Sequence, residues 1–131
     1  MPTTALRVLV IDDEARFCDV VSSFLRGRGY EVATASSGAE ALAHLETSLY
    51  EVVLLDVVMP GLSGLELLKV IRERPFPPRV IMVTATEEDH TVQQAMRQGA
   101  EAFMCKPVNF DTLEQLISRV WRPHSPVPDP S

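Results

Sequence analysis

The sequence predicts an α/β domain in which five strands alternate with five helices, a parallel sheet doubly wound so that helices cover both of its faces. Three observations predict it. Short apolar runs alternate with segments of helical period along nearly the whole chain. Most of these runs are almost continuously apolar, as strands buried on both faces are. Four of them stop at a polar or charged residue: Leu6–Ile11 at Asp12-Asp13, Val52–Leu55 at Asp56, Arg79–Val83 at Thr84, and Ala102–Cys105 at Lys106-Pro107. If these strands are parallel neighbours, three carboxylates, a hydroxyl and an ammonium share one end of one sheet. That is the end at which open parallel sheets bind ligands.

The elements follow in order. After the first strand, Phe17, Val20, Val21, Phe24 and Leu25 recur at helical spacing, and Gly27 and Gly29 stop the helix. Glu31–Ala35 alternates polar and apolar residues, which suits a strand at a sheet edge. Ser37 and Glu40 have the spacing of a capping box, followed by Leu42, Leu45 and Leu49 as the inner stripe. The run ending at Asp56 passes through Val57-Val58 into Met59-Pro60-Gly61. Ser63 and Glu66 then form a second capping box, with Leu68 and Ile71 inward and Pro75, Pro77 and Pro78 closing the segment. After Thr84, Thr86 is placed to cap a helix whose first turn holds Glu87, Glu88 and Asp89, with Val92, Ala95, Met96 and Gly99 inward. Asn109 starts the last helix, with Leu113, Leu116, Ile117 and Val120 inward. Residues 123–131 hold Pro123, Pro126, Pro128 and Pro130 without an apolar period, the pattern of a tail or the start of a linker.

At 131 residues and 46% hydrophobic, the chain has one domain's length and an ordinary core. A net charge of -6 argues against direct nucleic-acid binding, which needs a basic surface. No apolar run approaches a membrane span, and the first one is cut by Asp12-Asp13, unlike a secretory signal. Cys18 and Cys105 form no disulfide framework and read as small packed residues in a reducing compartment, which points to the cytoplasm.

Gathering three carboxylates is unfavourable, since two charges about 4 Å apart repel by about 4 kcal/mol at an effective dielectric near 20. A hard divalent cation offsets this most simply, and Mg²⁺ favours a few carboxylates with water and a phosphoryl oxygen. Lys106 supplies a positive charge opposite, and a carboxylate can itself accept a phosphoryl group. Nucleophile, cation site and counter-charge are the parts phosphoryl transfer needs.

On these residues the chain resembles the receiver domain of two-component response regulators. The likeness covers about residues 5–121 and rests on Asp12-Asp13, Asp56 with Met59-Pro60-Gly61 and Gly64, Thr84-Ala85, Gly99-Ala100, Phe103 and Lys106-Pro107. It implies a flavodoxin-like sheet of order 2-1-3-4-5. It also implies Asp56 as phosphoacceptor, with Mg²⁺ on Asp13, Asp56 and the main-chain carbonyl of Val58, and Asp12 acting through water. Thr84, Ala85 and Lys106 would contact the phosphoryl group. Thr84 and Phe103 would form the switch, and a cis peptide would precede Pro107. The implied partners are a sensor histidine kinase or phosphotransfer protein and a downstream output domain or protein. The output partner would meet the face of the fourth helix, fifth strand and fifth helix. That last helix has few charges in its middle, Glu114 and Arg119, which disfavours dimerisation through this face.

Other functions fit less well. An aspartate-nucleophile phosphohydrolase usually carries a second acid two residues after its nucleophile, and Val58 stands there. Flavin or cobalamin modules of similar fold need loop signals that are missing. Asp12-Asp13-Glu14 and Glu87-Glu88-Asp89 could each simply favour a helix N-terminus; for the first, Asp56 and Lys106 at neighbouring strand ends favour a site.

Overall fold

The computed structural model describes residues 6–58, 63–85 and 89–121. Its strands are β1 (Arg7–Ile11), β2 (Glu31–Ala35), β3 (Val52–Leu55), β4 (Arg79–Thr84) and β5 (Ala102–Cys105). The helices are α1 (Ala15–Gly27), α2 (Gly38–Thr47), α3 (Gly64–Arg72), α4 (Asp89–Arg97) and α5 (Phe110–Trp121). All neighbouring strands pair in parallel, in the order β2-β1-β3-β4-β5. The expected flavodoxin-like topology is therefore present, with Glu31–Ala35 on an edge.

Side chains of the central strands divide by alternation. Leu9, Ile11, Val53, Leu55, Val80 and Met82 face one layer, filled by Ala41, Leu45, Leu67, Leu68, Ile71 and Ala95. Val8, Val10, Val52, Leu54, Ile81 and Val83 face the other, filled from α1 and α5 by Val21, Leu25, Leu113 and Ile117. Truncating such fully buried leucines to alanine typically costs about 2–5 kcal/mol, so the sheet is a firm platform for groups at its end.

Caps and stripes agree with the sequence in most places. Ser63 and Glu66 form the complete reciprocal box, and Asn109 accepts a hydrogen bond from the Thr112 N–H at 2.9 Å. Ser37 accepts from the Glu40 N–H, but the Glu40 carboxylate returns to Ser36 and not to Ser37. Three stripe residues are corrected: Val20, Leu49 and Met96 are 45%, 70% and 44% exposed. Leu49 lies past the end of α2, while Cys18 and Ser22 take the inner face of α1. Cys105, expected to be packed, is exposed at the end of β5. Met59-Pro60-Gly61, Thr86, Glu87-Glu88 and the proline-rich end lie outside the described residues.

Candidate functional site

β1 pairs with β2 on one side and β3 on the other, so the chain reverses direction of winding between β1 and β3. Asp12 and Asp56 follow these two strands, at the crevice such a reversal opens. The ladder continues one residue past each strand end. The Asp12 N–H donates to the Ala35 carbonyl at 3.0 Å, that of Asp56 to Ile11 at 3.0 Å, and that of Lys106 to Thr84 at 2.8 Å. The three backbones are thereby fixed to the sheet.

The carboxylates are also fixed locally. Asp12 Oδ1 accepts the Glu14 N–H at 2.9 Å, and Asp56 Oδ1 accepts the Val58 N–H at 3.2 Å. Each is a side chain bonding its own backbone two residues on. Asp12 and Asp56 are buried and Asp13 is exposed. One carboxylate oxygen from each lies within 4.8 Å of the others, an all-oxygen donor set open to solvent at Asp13. That set suits a hard divalent cation.

Lys106 closes the other side. Its Nζ lies 2.7 Å from Asp12 Oδ2, 2.9 Å from Glu14 Oε1 and 3.7 Å from Asp56 Oδ2, and 4.4 Å from the centre of the Phe17 ring. Burial alone would depress its pKa. The hydrogen bonds of Asp12 and Glu14, with the Asp12 and Asp56 charges, outweigh that and hold it well above the ordinary lysine value. Burial pushes the Asp12 carboxyl up, against the opposing hydrogen bonds of Lys106 and the Glu14 N–H, and the charge of Asp56 pushes the same way. One ammonium faces three carboxylates, so the cluster remains short of positive charge.

Thr84 is completely buried at the end of β4, and its Oγ1 has no hydrogen-bond partner. A buried hydroxyl without a partner is unfavourable, and an acceptor at the sheet end would relieve it. Ala85 follows, exposed. Phe103, on β5, is half-buried against the core layer that contains α3 and α4. Val58 is 65% exposed beside Asp56. The Lys106–Pro107 peptide is cis, as the resemblance implied. Gly64, first in α3, donates its N–H to the Val57 carbonyl at 2.9 Å, and a Cβ there would collide with the Asp56 carbonyl.

The sequence reading brings Asp12, Asp13, Asp56 and Lys106 together correctly, but it missed Glu14 and Phe17. Glu14 is the N-cap residue of α1, yet its side chain makes no cap; it reaches Lys106 instead. The available signal was its place beside Asp12-Asp13, which reads equally well as helix-dipole compensation.

The parallel sheet carries an acidic cluster and a lysine at its carboxyl end, and comparison with known proteins gives this architecture a family. Residues 8–118 match the family model for the response regulator receiver domain. The transcriptional regulatory protein ZraR of Salmonella typhimurium is 34% identical over 112 residues, which are 86% of this chain and 25% of that protein. A CheY-like receiver domain protein from Methanospirillum hungatei superposes with a TM-score of 0.83 at 30% identity, covering 89% of this chain and 94% of that one. The response regulator TrrA from Thermotoga maritima, solved in complex with Mg²⁺-BeF, gives 0.79 at 33% identity, covering 88% and 98%. The chain belongs to the response regulator receiver domain family. It spans between a quarter and a half of the length of the curated relatives it matches. No described helix is long and apolar enough to cross a membrane.

Proposed function

We propose that this chain is a phosphorylation-activated switch whose acceptor is Asp56. The observation that supports it best is the oxygen cluster of Asp12, Asp13 and Asp56 with Lys106 on its far side. An Asp56 carboxylate oxygen attacks the phosphorus of a phosphohistidine on a sensor histidine kinase or phosphotransfer protein. The new O–P bond forms as the P–N bond breaks, and the imidazole keeps the electron pair and takes up a proton. Asp12, Asp13 and Asp56, with the main chain at Val58, would hold Mg²⁺, which supplies positive charge against the phosphoryl oxygens. Lys106 pairs with one phosphoryl oxygen, Thr84 Oγ1 donates to another, and the backbone at Ala85 borders the group.

Engaging Thr84 draws it toward the sheet end and frees space into which Phe103 turns. This shifts a two-state equilibrium at the face formed by α4, β5 and α5. A downstream output domain or protein reads that face. Net charge of -6 supports an output that does not itself consist of this chain contacting nucleic acid, and nothing suggests a membrane partner. The switch occupies residues 5–121, and residues 122–131 serve as tail or linker. Val58 carries no proton-transferring group, so the chain turns over no substrate beyond its own phosphorylation and dephosphorylation.

Titration with beryllofluoride in the presence of Mg²⁺, followed by backbone amide resonances, tests this. Saturable shifts at Asp56, Thr84 and Phe103 are expected. Absence of saturable binding, or shifts confined to other regions, would reject the switch.

A further inference from the structure

We propose that Glu14 and Phe17 form a resting seat for Lys106 that competes with the phosphoryl group on Asp56 and so sets how readily the domain accepts it. The proposal rests on the phosphoacceptor reading above, and concerns residues outside the acidic cluster and the switch pair.

Three observations carry it. The Lys106 ammonium is 2.9 Å from Glu14 Oε1 but 3.7 Å from Asp56 Oδ2. It therefore lies a hydrogen bond's length from Glu14 and beyond hydrogen-bond reach of the acceptor. The Glu14 carboxylate is bonded to Lys106 and not to the N-terminus of its own helix. It occupies the N-cap position of α1 and makes no cap, while the Glu14 N–H is satisfied by Asp12. Glutamate is a poor choice for a cap, and here the side chain serves Lys106 instead. Phe17, one helical turn on from Glu14, lies under the same ammonium at 4.4 Å, close enough for a cation–π contact. The N-cap residue and the first turn of α1 thus present a charge and a ring to one cation.

When a phosphoryl group arrives on Asp56, Lys106 must give up part of this seat to pair with it. In the resting position Asp12 also holds Lys106, at 2.7 Å. The seat lowers the apparent affinity for a phosphoryl group by the fraction of time Lys106 spends in it. Glu14 and Phe17 are thus positioning residues that act through Lys106.

Glu14→Gln alone does not isolate this, because removing a negative charge near an anion site strengthens binding by simple repulsion relief. Phe17→Leu changes no charge and keeps an apolar residue that favours the helix. The measurement is beryllofluoride affinity at fixed Mg²⁺ by calorimetry for the wild-type protein and both single variants. The seat predicts tighter binding in each, by up to about 5-fold for Glu14→Gln, as for an ion pair with one exposed partner, and by about 2- to 5-fold for Phe17→Leu, as for a cation–π contact that is not fully desolvated. Tightening in Glu14→Gln alone would reduce Glu14 to a repelling charge and overturn the seat. No change in either, or weaker binding in either, would overturn it too, the last by showing that these residues hold Lys106 ready for the phosphoryl group. Absence of beryllofluoride binding in the wild-type protein would instead remove the phosphoacceptor reading, and the seat with it.

Discussion

Gly64 lies directly against the main chain of Asp56: a Cβ built on it would meet the Asp56 carbonyl oxygen and the Val57 Cα. The first residue of α3 is buried, and its N–H donates to the Val57 carbonyl at 2.9 Å. The helix start therefore props the loop that carries the acceptor. The neighbour is backbone, which cannot rotate away as a side chain could. Gly64→Ala should destabilise the fold by about 1–3 kcal/mol, the usual range for overpacking. Urea unfolding measures it. Unchanged stability would show that α3 can slide away from Asp56 freely.

Thr84 is expected to trade stability for response. Its Oγ1 is buried without a partner in this state. Thr84→Val keeps the shape and removes the unsatisfied group, so the resting fold should gain about 1 kcal/mol. Phosphorylation should persist while the shift at Phe103 is largely lost. Unfolding midpoints and amide shifts on beryllofluoride binding check both halves, and a full Phe103 response in Thr84→Val would break the proposed coupling.

The two thiols should differ sharply in reactivity. Cys18 is buried and bonds the Asp12 carbonyl, and burial, with the Asp12 and Asp19 charges, pushes its pKa up to about 11. Cys105 is exposed. Near neutral pH an alkylating reagent should modify Cys105 quickly and Cys18 only on unfolding. The folded thiol holds its proton more tightly than the unfolded one, so this contribution is full below pH 9.0 and is lost as pH rises toward about 11. Equal labelling rates in the folded protein would contradict the placement of Cys18.

Val58 is expected to prolong the phosphorylated state. It is exposed beside Asp56 and cannot orient or deprotonate an attacking water. Val58→Asn should shorten the lifetime several-fold, with an upper limit of about 100-fold for an aiding polar group. Phosphate loss from purified labelled protein over time is the measurement. An unchanged or longer half-life would show that this position does not control water.

Much of the architecture and most of the site could be read from sequence because each rests on local signals. Val52–Leu55 is apolar throughout and ends at an acid, so both its burial on two faces and its delivery of Asp56 are written in one run. The errors share a cause. Helical period marks the direction of a stripe but not its width, so it puts Val20 and Met96 inside, although both are exposed. Leu49 failed because α2 ends at Thr47, before the stripe reaches it. Glu14 is not legible as a site residue because an acid at a helix start serves the helix dipole equally well, and no local signal shows that its side chain bonds Lys106 instead. Cys105 ends β5, an edge strand whose run has no polar alternation to mark it as one, and it is exposed.

The central claim, that Asp56 accepts a phosphoryl group, is tested most directly by intact-mass spectrometry of the purified protein after incubation with acetyl phosphate and Mg²⁺. A single added phosphoryl group is expected, absent in Asp56→Asn and strongly reduced when a chelator removes the metal. Labelling that persists in Asp56→Asn, or proceeds fully in chelator, would contradict the assignment of acceptor or cation.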